Sequence, residues 1–246
     1  KGGKSYKNKY FRLESDIKLS SSWEPLGTLK ERADKPGNGT NILPFSGNID
    51  GNGHTLTFAK GSKPLFGYVR DAKVSNLNIF GTYIDGYGLV ENYVVDYGKD
   101  GKNWTDDDPK AVITAEKVTI KSGTRIHQSG FLGGYASGID HADFTNCTIE
   151  QGVTIGCNID GTSAGLSNIG SFGGALNGTI KNCVSYATVY GDSNVGGIAG
   201  IRGQSTDIFS IENCAFHGII NATGNNIGGI LGSGYYMYNA PNAFGA

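Results

Sequence analysis

The chain has 246 residues, of which 38% are hydrophobic and 40 are glycine. This length and apolar content suffice for one large domain with a substantial core, which excludes a disordered chain. The net charge of −1, from 21 basic and 22 acidic residues, provides no long-range attraction for nucleic acid or anionic membranes. No run approaches the roughly 18 to 20 apolar residues of a membrane span, so membrane insertion is not expected.

The first 62 residues are less regular than the rest, and we expect them to form a first part or cap of the fold. The segment from Thr28 to Lys35 lies between Pro25 and Pro36. A loop is expected there, because proline interrupts regular structure. Further on, Asp50-Gly51-Asn52-Gly53 is a dense turn signal between two apolar segments. We therefore expect His54 to leave a turn at the start of a strand, and this role is favoured over catalysis.

An insertion at about residues 83–117 interrupts the pattern of the chain. It carries five aromatic residues that are candidate ligand-binding residues: Tyr83, Tyr87, Tyr93, Tyr97 and Trp104. Exposed aromatic rings can stack on the faces of sugars. The alternative is that these rings pack as a small satellite core over an open face or edge, because an isolated hairpin needs apolar packing. Packing is the favoured interpretation of the two.

Acidic residues cluster in the same insertion. With Asp96 as the first position, Asp100 and Asp107 fall at positions 5 and 12 of a calcium-binding loop, and Gly101 falls at position 6. However, Gly98 stands where position 3 requires a ligand, and no helical pattern flanks the segment. A solvated acidic hairpin tip is therefore favoured over a calcium site. Calcium is the one candidate ion, and no other cofactor is expected.

Two segments in the C-terminal half repeat each other. Their Asn-Cys pairs, Asn182-Cys183 and Asn213-Cys214, lie 31 residues apart, and each leads to an Asn-x-Gly-Gly-Ile string. An earlier copy starts at Asn146-Cys147, and a fainter one contains Asn76-Leu77. Within each copy, short alternating apolar segments broken by Gly, Asn or Asp indicate strands, and no convincing stretch has a helical period.

These repeats predict an all-β, parallel β-helix-like solenoid with short strands, Gly and Asn corners and loop insertions. Strands that recur about every 30 residues without intervening helices suit passes of the chain stacked at about 4.8 Å. Each strand should pair with its equivalent in the next pass. Residues 63–246 are expected to form the repeat coils, and the whole chain one structural domain that is monomeric.

The cysteines of the repeats share one position. Cys147, Cys183 and Cys214 stand where the faint first copy has Leu77, so we expect that position to face inward. Buried free thiols that act as small apolar side chains are favoured, and a disulfide between neighbouring coils is the alternative. Corners are expected at the asparagines before this position, because asparagine tolerates left-handed conformations. They are Asn76, Asn146, Asn182 and Asn213.

The strings NCVSYATVYGDSNVGGIAG and NCAFHGIINATGNNIGGILG resemble GLUG-motif repeats. Such repeats occur in bacterial surface proteins, including regions upstream of immunoglobulin-A-cleaving metallopeptidases. The earlier strings YKNKYFRLESDIKLSSSWEPLG and FSGNIDGNGHTLTF are similar to the segment that commonly precedes them. This resemblance covers most of the chain. It implies a right-handed β-helix, extracellular or on a bacterial cell surface, that forms one module of a longer protein, and it does not imply catalysis.

The expected function is a non-catalytic extracellular scaffold or adhesin-like binding module, with a host glycan or surface protein as partner. No His-Glu-x-x-His string or phosphate-binding loop occurs. A catalytic β-helix would present charged side chains from successive coils at one lateral position, and the repeats place mainly Gly, Ser, Thr and Asn at equivalent positions. The alternatives are a β-helix carbohydrate-active enzyme, a substrate-positioning region of a secreted peptidase, and an inert structural spacer.

Overall fold

The computed structural model describes residues 6–31, 40–93, 112–132, 141–203 and 209–234. In these ranges the fold is all-β, and its strands pair almost entirely in parallel. The described ranges contain no helix, and so none that is long and apolar enough to cross a membrane.

The strands are short and follow one another directly. The first thirteen are β1 (Tyr10–Arg12), β2 (Ile17–Lys18), β3 (Thr28–Glu31), β4 (Thr40–Leu43), β5 (Asn48–Asp50), β6 (Thr55–Phe58), β7 (Phe66–Val69), β8 (Ala72–Gly81), β9 (Val90–Tyr93), β10 (Val112–Ile120), β11 (Arg125–Ile126), β12 (His141–Thr145) and β13 (Thr148–Ile149). The others are β14 (Thr154–Ile155), β15 (Ile169–Gly170), β16 (Gly173–Leu176), β17 (Gly178–Lys181), β18 (Val184–Ser185), β19 (Thr188–Gly191), β20 (Val195–Gly196), β21 (Ala199–Arg202), β22 (Phe209–Glu212), β23 (Ala215–Phe216), β24 (Ile219–Ala222), β25 (Ile227–Gly228) and β26 (Leu231–Ser233).

Most strands join sheets that run across successive passes of the chain. The largest sheet has twelve strands along the path β1-β5-β8-β10-β12-β17-β22, joined by β2, β6, β13, β18 and β23. A four-stranded sheet has the order β11-β14-β19-β24, and two three-stranded sheets have the orders β15-β20-β25 and β16-β21-β26. The pair β7-β9 is parallel, whereas β3-β4 is antiparallel.

The last two described passes show how the repeat is stacked. Strands β17, β18, β19, β20 and β21 pair in parallel, and in order, with β22, β23, β24, β25 and β26. The expected pairing of each strand with its equivalent in the next pass is therefore confirmed for these passes. Within the described ranges, one pass leads to the next through irregular segments, and no helix covers the parallel sheets there.

The alternation of the sequence determines which side chains face the core. In β8, Val74, Leu77 and Ile79 are buried, whereas Lys73 is exposed. Two consecutive residues, Ser75 and Asn76, are not buried, which shifts the alternation by one residue within the strand. This shift is the corner of the pass, and it lets both halves of β8 point apolar side chains to one interior.

The predicted corner asparagines adopt the left-handed conformation. Their φ angles are 50° at Asn76, 56° at Asn146, 53° at Asn182 and 49° at Asn213. Lys117 holds the equivalent corner of β10, with φ at 52°. The left-handed conformation costs asparagine less free energy than it costs other non-glycine residues, because its short side-chain amide forms local hydrogen bonds. The corner prediction is confirmed.

A second row of left-handed asparagines lies elsewhere on the passes. Asn168, Asn194 and Asn226 have φ angles of 58°, 56° and 59°. The Asn194 amide donates to Asn168 Oδ1 at 2.8 Å and accepts from Asn226 Nδ2 at 2.8 Å. This amide ladder joins three successive passes.

Two variants of Asn194 should separate the ladder from the backbone strain. Asn194→Gly keeps the left-handed backbone and loses both amide bonds, so a loss of about 1 kcal/mol in the free energy of unfolding is expected. Asn194→Ala also places a Cβ in the left-handed region, for a loss of about 2–3 kcal/mol. Urea unfolding measures both values. Equal losses in the two variants would contradict a contribution from backbone strain at residue 194.

Buried apolar side chains stack between passes to form the core. Phe131 and Phe172 lie parallel, with ring centroids 5.2 Å apart, and Phe144 lies 6.0 Å from Phe172. All three rings are at most 1% exposed. Phe131 and Phe172 thus form a column across two passes, which is how strands in register place equivalent side chains, and Phe144 packs beside it.

The repeat cysteines form another column. Thr148 pairs with Val184 and Val184 with Ala215, which places Cys147, Cys183 and Cys214, the residues just before them, next to one another on successive passes. All four cysteines are free thiols, and only Cys214 is half-buried. The hydrogen bond with the Cys147 thiol raises the pKa of Cys183 to about 12, and the bond with Cys183 raises that of Cys214. The favoured prediction of buried free thiols agrees with this arrangement.

The segment from Thr28 to Lys35 differs from its prediction as a loop. Its first part, Thr28–Glu31, is strand β3, which pairs antiparallel with β4. The two prolines lie outside the paired residues, so they leave the backbone N–H groups of β3 available for the ladder. The loop prediction was wrong for these four residues.

Candidate binding face

The outward side chains of the twelve-stranded sheet form a row that crosses seven strands. Its members are in register from β1 to β22: Arg12, Asp50, Ser75, Glu116, Thr145, Lys181 and Glu212. A neighbouring row holds Tyr10, Asn48, Lys73, Thr114 and Asp143. We call these two rows the candidate binding face. Six strand intervals of about 4.8 Å give it a length of about 29 Å.

This charged row corrects the expectation drawn from the repeats. Charged side chains from successive passes do share one lateral position, and they include both signs. Lys181 and Glu212 directly precede the corner asparagines of the two clearest copies, whereas Arg12 and Asp50 lie in the irregular first part and Glu116 in an atypical copy. For Arg12, Asp50 and Glu116, the common position follows from strand register and not from sequence spacing.

An open cleft of about 420 Å³ lies over the first four strands of the face. Its lining includes Tyr10, Arg12, Asp50, Lys73 and Glu116. Tyr10 is 82% exposed, which is unusual for a ring of this size and leaves nearly its whole surface open to a ligand. The cleft therefore combines an exposed aromatic ring with two basic and two acidic groups.

Hydrogen bonds hold several of these charged groups in place. Arg12 donates from Nη2 to Asn52 Oδ1 at 2.9 Å, and Asp50 accepts from the Asn52 N–H at 2.9 Å and from Asn76 Nδ2 at 3.1 Å. The Asn52 N–H, followed by the Asn76 amide, lowers the pKa of Asp50. At the far end, Lys181 lies 3.1 Å from Glu212 and lowers the pKa of that carboxyl.

The two carboxylates of the cleft are poorly suited to acid–base catalysis. Asp50 and Glu116 are separated by Ser75, so their strands lie about 10 Å apart. A general acid needs a raised pKa, and the bonds to Asp50 stabilise its charged form instead. The arrangement suits ligand binding better than proton transfer.

The lowered carboxyl pKa values predict acid sensitivity. A carboxyl whose folded pKa lies below its unfolded value adds stability that is present above about pH 4 and is lost as the pH falls through the folded value. The melting temperature should therefore fall between pH 5 and pH 2, and less so in Asp50→Asn. Thermal unfolding monitored by circular dichroism over this range measures both. Identical pH profiles for the two proteins would contradict the role of Asp50.

Of the five aromatic residues that were predicted to bind a ligand, two have side chains that the structure describes. Tyr83 is only 7% exposed, and its ring lies edge-on to His127 with centroids 6.2 Å apart. Burial raises the pKa of Tyr83. Tyr87 is half-buried. Both positions agree with packing, the alternative favoured for these rings, and a ligand role for them remains a prediction.

Residues 94–111 of the insertion lie outside the described residues. Tyr93 is described only as part of strand β9, and Tyr97 and Trp104 are among residues 94–111. The predicted calcium ligands, Asp96, Asp100 and Asp107, fall in the same range.

His54 takes the position expected from the turn. Its N–H bonds to Gly51 O at 2.8 Å, and strand β6 begins at the next residue. Asp16 accepts from the Thr55 N–H at 2.9 Å and lies 3.3 Å from His54 Nδ1. The bond from Thr55 and the pairing with His54 lower the pKa of Asp16. This acid–histidine pair was not expected from the sequence, since 38 residues separate its members; it fastens the turn.

The sequence also contains a hydrolase-like string. Gly161-Thr162-Ser163-Ala164-Gly165 has the Gly-x-Ser-x-Gly pattern of a nucleophile elbow. Here the string lies in an exposed loop, where the Ser163 hydroxyl accepts from the Gly165 N–H at 3.2 Å. An elbow requires a strand before the serine and a helix after it, and the described chain has no helix there. The string therefore forms a turn.

Comparisons with known proteins relate the chain to one fold. No family model matches it, and no curated protein does. Among solved structures, it is similar to a "putative immunoglobulin A1 protease" from Bacteroides ovatus, with a TM-score of 0.55 and 20% sequence identity. The match covers 92% of this chain and 65% of that one, so this chain spans less than two thirds of the similar protein. The likeness is one of fold.

Proposed function

We propose that this chain is a non-catalytic extracellular binding module of a larger bacterial surface protein, built as a right-handed parallel β-helix. The parallel ladders between equivalent strands of successive passes support the β-helix. The right hand follows the strong preference of connections between parallel strands of one sheet. The likeness in fold to a longer bacterial protein supports its place as one module.

The observation that carries this proposal is the candidate binding face. A row of side chains about 29 Å long suits an extended ligand that contacts several passes at once. Because both charge signs and an exposed tyrosine are present, the face suits a host glycan or an extended segment of a host surface protein. A purely structural spacer would not need an aromatic ring exposed beside fixed charges.

Binding can be tested with the whole chain on arrays of host glycans and extracellular proteins, including immunoglobulin A1. Lys73→Ala lies in the cleft, and Lys60→Ala is a matched control in an exposed turn away from the face. We expect Lys73→Ala and Tyr10→Ala each to weaken binding by about tenfold, as for other contact residues, and Lys60→Ala to leave it unchanged. No binding to any array, or equal binding by all variants, would contradict the proposal.

The insertion offers a second place for the ligand. The same arrays are used to measure the variants Trp104→Ala and Tyr97→Ala. Loss of binding in these two variants, and not in Lys73→Ala or Tyr10→Ala, would place the ligand at the insertion and not at the candidate binding face. Repeating the assay with a calcium chelator tests the predicted ligands Asp96, Asp100 and Asp107.

Two other functions also have support, and the same arrays and variants test them. A carbohydrate-active β-helix would also present charged side chains in one row, as Asp50 and Glu116 are here, and release of reducing ends from a bound glycan would favour that enzyme over the binding module. The fold likeness to a protein described as an immunoglobulin A1 protease favours a substrate-positioning region, which should bind immunoglobulin A1 and not glycans.

A further inference from the structure

A second open recess lies on another part of the surface, at the corner between the twelve-stranded and four-stranded sheets. Its volume is about 740 Å³, and its lining comes from three successive passes. The side chains are Gln151, Tyr186, Thr188, His217 and Ile219. None of them belongs to the candidate binding face.

Two aromatic rings form one wall of this recess. Tyr186 and His217 stack with centroids 5.3 Å apart and an angle of 25° between their planes. They are neighbours because Ser185 and Phe216, the residues before them, pair in register. Tyr186 is nevertheless 42% exposed, so the stack fixes the ring in place without covering it.

The remaining side chains give the recess a neutral polar character. In the described part of the chain, the Gln151 amide and the Thr188 hydroxyl have no hydrogen-bond partner. Ile219, 61% exposed, adds an apolar surface beside them. The lining includes no Asp, Glu, Lys or Arg. A charged ligand would therefore find no counter-charge here.

We propose that this recess binds a neutral hexopyranose unit of a glycan. A pyranose has an apolar face of C–H groups and a rim of hydroxyls, and the recess matches both. The apolar face lies on the Tyr186 ring and against Ile219, and hydroxyls bond to Gln151 and Thr188. The proposal goes beyond the candidate binding face, since it assigns a separate site and a ligand class without charge.

The test is a titration of isotope-labelled protein with three neutral trisaccharides, cellotriose, mannotriose and chitotriose, with trigalacturonate as the charged comparison. We expect at least one neutral sugar to shift the ring signals of Tyr186 and His217. Tyr186→Ala should weaken its binding by about tenfold, and Tyr186→Phe, which keeps the ring face, by no more than about twofold.

Two exposed isoleucines of the last described pass provide a matched control. Ile219→Ala, inside the recess, should weaken binding by about threefold, and Ile227→Ala, 46% exposed in the wild type but outside it, should not. The proposal is overturned if no neutral sugar shifts these signals, if trigalacturonate binds equally well, or if Tyr186→Ala binds like the wild type. Lys73→Ala, which tests the candidate binding face, should leave this titration unchanged, so the two proposals fail separately.

Discussion

Replacing Phe172 by alanine is expected to lower the free energy of unfolding by about 3–5 kcal/mol. The ring is fully buried, and it contacts Phe131 of the preceding pass and Phe144 of its own pass, with centroids 5.2 and 6.0 Å away. Strands in parallel register cannot move independently to fill the space, because each is bonded on both sides. Guanidinium chloride unfolding, followed by far-UV circular dichroism, measures the loss.

The control for this core variant is Phe11→Ala, since Phe11 is 40% exposed. Its loss should stay below about 2 kcal/mol, because only part of its apolar surface is removed from water on folding. In the double variant Phe131→Ala with Phe172→Ala, the loss in the free energy of unfolding should differ from the sum of the two single losses, because the two rings contact each other. A loss in Phe172→Ala as small as in Phe11→Ala would contradict the stacked core.

Two glycines at the same place in the repeat should respond differently to alanine. A Cβ on Gly197 would lie 2.1 Å from Gly229 O and 2.4 Å from the Phe216 ring, both on the next pass. A Cβ on Gly229 would meet no described atom within 4 Å. We expect Gly197→Ala to cost about 3 kcal/mol, because backbone and a core ring must both shift.

Gly229→Ala, by contrast, should change the free energy of unfolding by less than about 1 kcal/mol in either direction. Thermal and chemical unfolding of the two variants side by side measure the difference. Because the strings Asn-Val-Gly-Gly-Ile and Asn-Ile-Gly-Gly-Ile are nearly identical, the local conformational preference of the backbone is the same in both. Equal losses in the two variants would show that the close approach of the passes is not what requires glycine at Gly197.

The corners and the cysteine column could be predicted because they depend on local chemistry repeated at a fixed spacing. Asparagine before a buried position is a local signal, and three copies made it visible at Asn146, Asn182 and Asn213. The hairpin strand Thr28–Glu31 could not be predicted in the same way. Its pairing partner Thr40–Leu43 supplies the ladder, and no repeated string marks either strand.

The candidate binding face and the neutral recess depend on contacts that the repeat spacing reveals only in part. Arg12 and Asp50 become neighbours of Glu116 only through strand register, across segments of unequal length. Tyr186 and His217, by contrast, follow their Asn-Cys pairs at the same spacing, but the pattern does not show that their rings stack and remain exposed. A sequence pattern cannot report the pairing of Arg12, Asp50 and Glu116, because insertions shift the count between passes.

The sequence by itself determined the all-β class, the repeat of about 30 residues, the left-handed asparagine corners and the inward position of Cys147, Cys183 and Cys214. Each depends on the conformational preference or hydrophobicity of residues within one repeat. Only the tertiary structure decided which outward side chains of the irregular first part share a row with those of the repeats, and where aromatic rings remain exposed. These features arise between passes, since a parallel ladder brings together residues that are distant in the chain and irregular in their spacing.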